Sequence, residues 1–535
     1  MRNQHFLLSL LLPLLSTLLF WLAWPPMAAV ICLFVAIVPL LFIHQFYKKQ
    51  QLSAMKFLLL VYCTLVLWHL VTTYWLYNTT VTGTILIHLL NPILLTIPWW
   101  VFLIFDNRFG SHVGYMALVS SWLSIEYLHH NWQLAFPYLT LGNGLSKYPI
   151  LIQFYEYTGV LGGSLWVLVV NIAIFQLLRK LLNGGYVVYG PKALIGPMAI
   201  VFVPLLLSGI IYYSYDEKGR DVEVLVVHPN TDCRYEKYEV SSDQLIDKYL
   251  GLTFNKLSQN TDYILWPETA VTDAGWIEDM SSNPLFTKLL DTLKDYPKAK
   301  LVTGAVLYER SIDNGMAENA HDIRFADHLD MWYYTYNASF QLNPAQNTLD
   351  FRTKDKLVPM EETIPYAREF SLISSIVPSL GGYLFASRPE YSKVFNSGDG
   401  KGVASMICYE SLFGSFIAKH VNKGANLIFI SLNEGWYKHL TGASQFLHYA
   451  SVRAIENRRS VARSSNDGIS AFINQKGEIL NRFGSFKPAS IIQSIKANRK
   501  KTFYTVFGDY IGVIAIAVSL LLLIRLAVSK LFVRN

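Results

Sequence analysis

The chain has 535 residues, of which 52% are hydrophobic and 16% charged, with a formal net charge of +7. Typical soluble proteins carry about 25% charged residues, so this composition excludes an ordinary soluble globular protein and points to a membrane protein with a soluble part. The length leaves room for several domains, and the positive charge, much of which flanks apolar segments, favours a membrane surface over nucleic acid.

The first apolar run is Phe6 to Trp24, long enough to cross about 30 Å of hydrocarbon as a helix. Its short basic start resembles a secretory signal. No clear small-x-small cleavage site follows, and a second apolar run begins at once, so a retained helix is expected. Further spans are expected at Met27 to Phe46, Met55 to Tyr77, Thr84 to Phe105, Val113 to Leu128, Val160 to Leu178 and Ala193 to Tyr213, and a last one at Tyr504 to Val528. Lysines and arginines of the short loops set the orientation. With Arg2 inside, Lys48, Lys49, Arg108, Arg179, Lys180 and Lys192 are inside too, as are Arg525, Lys530 and Arg534, whereas the short outer loops hold only Lys147. Both termini are then cytoplasmic and the polar region is outside. Arg499, Lys500 and Lys501 run against the bias, but they belong to a long translocated segment, where the rule is weak. Glu126 interrupts the fifth span, and an intramembrane carboxylate is either functional or a structural anchor. Phe136-Pro137-Tyr138-Leu139-Thr140-Leu141-Gly142 lies in the longest outer loop, and its aromatic and apolar content suits the bilayer interface.

In the polar region, strands are expected at Val222 to Val227, Tyr263 to Trp266, Leu301 to Leu307, Val403 to Ile407 and Leu427 to Ser431. Helices are expected at Ser242 to Leu257, capped by Ser242 or Asp243, at Pro284 to Leu293 and at Ser444 to Asn457. Met331 to Leu342 pairs with Thr348 to Arg352 around Asn343-Pro344-Ala345, and Ile469 to Ile473 with Glu478 to Arg482 around Lys476-Gly477. Strands alternating with helices, plus hairpins, indicate an α/β sandwich. Pattern alone does not choose it over a Rossmann-like sheet. Between Glu362 and Asn396, apolar residues including Phe370, Leu372, Ile376, Leu380 and Phe385 surround Gly381-Gly382; this suits either a lid that touches lipid or a loop packed on the core.

Three short stretches carry the chemistry. Cys408 ends an apolar run from Gly402 and meets a helix-like segment, so backbone N–H groups stand beside a thiol at a sharp turn. In isolation such a cysteine reads as a small buried hydrophobe. Glu268 ends another strand in Leu265-Trp266-Pro267-Glu268, and Lys354 opens Lys354-Asp355-Lys356-Leu357-Val358-Pro359, with Glu361 and Glu362 just beyond. A carboxylate in a dry pocket can take the proton of a thiol, and an ammonium can stabilise the oxyanion that follows. Cys32 and Cys63 lie in apolar runs. A Cys233–Cys408 disulfide is the structural alternative to a free thiol. There is no C-x-x-C and no H-E-x-x-H, so neither a redox pair nor a zinc site is signalled. His228 and His448 read as local hydrogen-bond partners rather than ligands.

Glu268, Lys354 and Cys408, in that order and with these neighbours, resemble the catalytic triad of the nitrilase superfamily. The membrane spans around them narrow the resemblance to the apolipoprotein N-acyltransferase family, and Trp122 to Gly142 and Gly508-Asp509 are similar to that family's segments. The resemblance implies a multi-span α-helical membrane bundle plus a nitrilase-like αββα sandwich. Residues 1–215 would hold seven transmembrane helices, 216–501 an extracytoplasmic catalytic domain, and 502–535 an eighth helix and a cytoplasmic tail. It selects Lys354 over Lys356, since the family's lysine stands three residues before Leu-Val-Pro. It makes Glu362 the partner that holds Lys354, and it places Tyr409 and Glu410 as supports of the pocket, with the Tyr409 N–H at the oxyanion. Asn433-Glu434-Gly435-Trp436 departs from relatives that carry Asp at Glu434, while Arg453 to Arg458 and Arg463 to Asn466 resemble family segments or, equally, an amphipathic helix with ion pairs. The implied reaction moves an acyl chain from a membrane phospholipid to Cys408 as a thioester. From there the chain passes to the N-terminal amine of a diacylglyceryl-cysteine on an apolipoprotein. No cofactor or metal is required, and the setting is a bacterial inner membrane with the catalytic domain on the periplasmic side. A membrane-anchored amidase and a non-catalytic lipoprotein-binding domain are the alternatives.

Overall fold

Strand-forming Val, Ile, Leu and Phe alternate in direction along the polar region, and this alternation builds two sheets in the computed structural model, which describes residues 2–182, 192–233, 236–311, 322–366, 385–396, 398–438, 440–484 and 487–531. The strands are β1 (Arg220–His228), β2 (Tyr263–Leu265), β3 (Lys300–Arg310), β4 (Ile323–Ala326), β5 (Met331–Asn343), β6 (Thr348–Thr353), β7 (Phe395–Asn396), β8 (Gly402–Ile407), β9 (Leu427–Leu432), β10 (Val461–Ser465), β11 (Ile469–Ile473), β12 (Ile479–Gly484) and β13 (Ala489–Ala497). One sheet runs β13-β1-β2-β3-β5-β4, with β6 paired to β5; the other runs β12-β11-β10-β9-β8-β7. In β1, Val222, Val224 and Val226 enter the apolar layer between the sheets with Leu265, Phe429 and Phe472. Leu225 and Val227 point the other way and pack on Ile246, Tyr249, Phe286 and Leu289. Helices Ser242–Phe254 and Pro284–Leu293 supply those last four side chains, and helices Gly414–Asn422 and Leu440–Asn457 pack against β8 and β11. The result is an αββα sandwich, the form that the resemblance implied and that pattern alone could not select.

Both expected hairpins form, β5 with β6 and β11 with β12. Four strands were not anticipated, among them the two-residue β7. β10 and β13 carry mostly small or polar residues, Val-Ala-Arg-Ser-Ser and Ala-Ser-Ile-Ile-Gln-Ser-Ile-Lys-Ala, and β4 is four residues long. Pairing partners therefore decide these strands more than their own sequences do. Arg463 to Ser465 lies on β10, not on a helix. The expected cap is also corrected. Ser241, not Ser242 or Asp243, caps the helix Ser242–Phe254, and Gln244 completes a capping box with it.

The chain divides into two units, Met1–Tyr77 with Thr84–Tyr215 and Phe507–Asn535, and Asn78–Gly83 with Asp216–Val506. Near the second boundary the turn Phe503–Phe507 buries Tyr504 and Thr505, and the Thr502 hydroxyl donates to the Glu456 carbonyl at 2.6 Å. In the helical unit, six helices among the described residues are long and apolar enough to cross a membrane: Val30–Lys49, Ala54–Asn78, Val81–Phe109, Tyr155–Leu182, Leu194–Ser214 and Tyr510–Leu531. Large apolar side chains such as Phe202, Val203, Leu206, Leu521 and Ile524 stand more than half exposed on the last two, a surface suited to lipid. Arg2–Ala23 contributes a shorter apolar stretch, Leu7–Ala23. Ser111–Asn131 carries Ser120, Ser121, Glu126, His129 and His130, all buried within the unit, which is why its hydropathy is low. Glu126 accepts hydrogen bonds from Trp122 Nε1 at 3.1 Å and from the Leu141 N–H at 2.8 Å, anchoring the loop that follows. In that loop Phe136, Tyr138, Leu139 and Leu141 are buried within the helical unit.

The cap has a measurable consequence. Ser241→Ala should cost about 1 kcal/mol, lowering the Tm of the solubilised protein by a few degrees, while Asp243→Ala should leave it unchanged.

Candidate active site

Glu268 lies just past the C-terminal end of β2, after Pro267 ends that strand. The next residue, Thr269, has φ +45°, a left-handed value unusual for a β-branched side chain. β3 makes room for this turn with Gly304, whose N–H bonds the Pro267 carbonyl at 3.1 Å. A Cβ on Gly304 would stand 2.4 Å from the Thr269 nitrogen and 2.6 Å from the Glu268 Cα, so only glycine fits.

Lys354 follows β6 directly, and its N–H bonds the Asn337 carbonyl on β5 at 2.8 Å. Its ammonium is almost wholly buried and sits between two carboxylates, 2.8 Å from Glu362 Oε1 and 3.2 Å from Glu268 Oε1. The Asn337 side chain donates to the same two oxygens, at 3.2 Å to Glu362 and 2.8 Å to Glu268. Glu362 Oε2 also accepts the Val358 N–H at 2.9 Å, which fixes the Lys354–Glu362 loop on itself. Burial works against the Lys354 charge, but the Glu268 and Glu362 carboxylates outweigh it and hold the ammonium well above its ordinary pKa.

Cys408 follows β8 and opens the turn Cys408–Leu412, with φ +47°. A non-glycine residue held there projects its side chain off the strand end under local strain. Desolvation raises the Cys408 thiol well above its ordinary pKa, the Glu268 charge adds to this, and Lys354 opposes it. A thiol disfavoured as the thiolate needs a base to react. All four cysteines are free, so the Cys233–Cys408 disulfide is absent.

Glu410 does not face this cluster. It is fully buried and grips Arg352 of β6 through two bonds of 2.7 Å, while also accepting the Ile407 N–H at 2.8 Å and the Asp355 N–H at 2.7 Å. Arg352 in turn donates to the Ser405 carbonyl at 2.7 Å. This bidentate pair ties the strand before Lys354 to the strand before Cys408. Tyr409 is buried edge-on against Phe413, with ring centroids 5.1 Å apart. Lys356 points to the Phe413 ring, 5.1 Å from its centroid, and takes no part in the Glu268–Glu362 cluster.

Glu434 is buried on Arg463 and also accepts from Ser465 Oγ at 3.1 Å and the Ile469 N–H at 3.0 Å, so it braces the loop between β9 and its neighbours. Arg453 pairs with Glu456 at 3.1 Å and donates to the Leu412 carbonyl at 3.0 Å. His228 bonds Ser470 Oγ at 3.0 Å. The apolar stretch read as a lid or a covered loop lies, from 367 to 384, outside the described residues. Sequence reasoning missed Asn337, Arg352 and Lys237. For Asn337 the available signal was a polar side chain in the middle of a largely buried strand, and for Arg352 a charged residue near a strand end. Lys237 had none.

Removing the Glu410 charge leaves Arg352 buried against only Asp355, 3.7 Å away. Glu410→Gln should therefore cost about 3 kcal/mol or more, read as a loss of Tm. Lys393→Ala breaks a half-exposed pair with Asp350 and should cost about 0–1 kcal/mol.

Two family models match the chain: the apolipoprotein N-acyltransferase N-terminal domain over residues 16–173 and the carbon-nitrogen hydrolase over residues 233–502. The curated apolipoprotein N-acyltransferase of Chlorobaculum tepidum is 26% identical, with 97% of this chain and 96% of that protein aligned. Apolipoprotein N-acyltransferase 1 of Treponema denticola is 26% identical over 83% of this chain and 82% of its own length. A solved amidase from Nesterenkonia sp. is 13% identical, with a TM-score of 0.35 over 53% of this chain and 93% of its own. With the carbon-nitrogen hydrolase model spanning half of its length and the N-acyltransferase model preceding it, the chain belongs to the carbon-nitrogen hydrolase family and, within it, to the apolipoprotein N-acyltransferases.

Proposed function

We propose that this protein transfers an acyl chain from a membrane phospholipid to the N-terminal amine of a diacylglyceryl-cysteine on apolipoproteins, through a thioester on Cys408. The observation that carries this reading is the buried Glu268–Lys354–Glu362 cluster, whose charges act on the Cys408 thiol, in a chain whose relatives are named apolipoprotein N-acyltransferases. Glu268 takes the thiol proton, and the sulfur attacks the carbonyl carbon of a phospholipid ester. Lys354 and the Tyr409 N–H stabilise the tetrahedral oxyanion. The ester C–O bond breaks, and the proton on Glu268 passes to the departing oxygen, releasing a lysophospholipid. In the second half the acceptor amine attacks the thioester and gives a proton to Glu268. The C–S bond breaks, an amide forms and the proton returns to the Cys408 sulfur. Glu362 keeps Lys354 charged and aimed, and Glu410 holds the turn that presents Cys408.

The domain reading is part of the proposal: seven spans in 1–215, a catalytic domain from 216 to 501 and an eighth span with its tail in 502–535. The loop-charge bias supports a periplasmic catalytic domain in a bacterial inner membrane. A reporter active only in the cytoplasm, fused after Gly219, should be silent; activity there would reverse the orientation.

Membranes given phospholipid with a labelled acyl chain and no lipoprotein should yield labelled protein. Neutral hydroxylamine should release the label, and an acceptor with a free N-terminal amine should discharge it. Cys408→Ala should abolish labelling and Cys233→Ala should not. Lys354→Ala should slow turnover by roughly 100-fold or more, the scale of losing a strong oxyanion donor, while Lys356→Ala should be mild. Label that passes to water and never to an amine would favour the amidase instead, and labelling in Cys408→Ala would overturn the thioester.

A further inference from the structure

Lys237 stands on a single helical turn, Glu236–Glu239, and its side chain is wholly buried. Burying an ammonium is costly unless it is well bonded. Yet among the described residues its side-chain hydrogen bonds go to no carboxylate. One runs to the main-chain carbonyl of Glu268 at 3.0 Å and the other to Thr269 Oγ1 at 2.5 Å. Both acceptors belong to the turn that carries the Glu268 side chain, the turn in which Thr269 adopts φ +45°. The same turn is gripped from the far side by Gly304, through its N–H bond to Pro267 and its close approach to the Glu268 Cα. An apolar side chain would fill the Lys237 site without the desolvation cost, so packing does not account for a lysine there. What the ammonium supplies is direction: two bonds that fix the Glu268 carbonyl and the Thr269 hydroxyl together. With the main chain so held, the Glu268 carboxylate emerges toward Lys354 and Asn337, which bond its Oε1 at 3.2 and 2.8 Å.

We infer that Lys237 is a positioning residue that aims Glu268 by locking the Glu268–Thr269 main chain. The inference rests on the reading of Glu268 as the base that deprotonates Cys408. It goes beyond that reading by giving a role to a residue 31 positions upstream that touches no reacting atom. Misplacing a catalytic group by about 1 Å can cost on the order of 100-fold in rate. Losing Lys237 should therefore act on the chemical step and only through Glu268.

The test uses the full-length protein in vesicles of phosphatidylethanolamine and phosphatidylglycerol with labelled acyl chains. Lys237→Met should slow acyl-enzyme formation at saturating lipid by roughly 10- to 100-fold, with the half-saturating lipid concentration changed by less than about twofold. Lys237→Arg, which keeps a buried donor, should recover at least part of that loss. The decisive readout is the rate at which iodoacetamide alkylates Cys408 in four proteins: wild type, Lys237→Met, Glu268→Gln and the double variant. If Lys237 acts through Glu268, Lys237→Met slows alkylation in the wild-type background and has no effect in the Glu268→Gln background. An equal fold-loss in both backgrounds, or a Lys237→Met enzyme that acylates at the wild-type rate, overturns the inference. Should Lys237→Met fail to accumulate in membranes, Thr269→Val removes one of the two acceptors with little change in volume. A several-fold slower acylation at unchanged half-saturation then supports the inference, and a wild-type rate overturns it. Glu268→Gln reports separately. If it acylates at the wild-type rate, the base assignment itself fails, whereas a dead Glu268→Gln beside a fully active Lys237→Met fails the positioning role alone.

Discussion

One buried ammonium bonded by two carboxylates is the constraint around which the sandwich is arranged. Lys354 has no water to solvate it, so its charge is tolerable only with Glu362 at 2.8 Å and Glu268 at 3.2 Å in place. The carboxylates depend on Lys354 in the same way, and the Asn337 side chain donates a second bond to each of the same two oxygens. These groups come from the ends of β2 and β6, from the middle of β5 and from the loop beyond Lys354. Their meeting requires that sheet to be fully assembled. No segment of the chain could hold such a cluster alone.

Cys408 comes from the other sheet, and a second buried ion pair brings its strand into register with the first. Arg352 stands two residues before Lys354, and Glu410 two residues after Cys408. Their bidentate bond, with the added bonds to Ser405, Ile407 and Asp355, joins the two strand ends at the level of the chemistry. Removing either partner would leave an uncompensated charge in the core. The positive φ at both Cys408 and Thr269 marks where the backbone leaves regular strand geometry to present a side chain. In each case the strain is offset by nearby bonds: Ser411 Oγ to the Cys408 carbonyl at 2.7 Å, and Lys237 to the Glu268–Thr269 turn.

The helical unit follows a different rule. Its outer side chains are apolar, while its interior combines large apolar side chains with buried polar groups such as Thr64, His69, Glu126 and Asn171. Asn171 is one case: its amide bonds the Leu33 and Val167 carbonyls at 2.9 and 2.8 Å, and its oxygen accepts the Ile37 N–H at 2.8 Å, where the chain passes from a tight turn into a helix. In hydrocarbon the Ile37 N–H, at the start of that helix, would otherwise be unsatisfied. Glu126 has the same kind of task, since it is bonded within the unit to Trp122 and Leu141, which gives the intramembrane carboxylate a structural account.

Much of this was legible in the residues themselves. Apolar runs of about 20 residues announce the helices, because hydrocarbon thickness sets their length. Alternating valines announce β1, and each strand-end motif places Glu268, Lys354 or Cys408 at a turn, because Pro267, Pro359 and the apolar run before Cys408 are local signals. Other features were set only by the tertiary structure. Ser241 displaced Ser242 as the cap once the helix start was fixed in space. β10 and β13 became strands through their neighbours, and the Phe136–Gly142 loop is held in the helical unit by bonds to Glu126 and Tyr155. Asn337, Arg352 and Lys237 belong to this second class. Each is an ordinary polar residue in the sequence, and each has its role only through partners 25 to 69 positions away. Periodicity, caps and turn residues are written locally, so the sequence by itself determined the elements and the chemical groups they carry. The pairing of buried charges depends on distances across two sheets, so only the tertiary structure decided which groups meet.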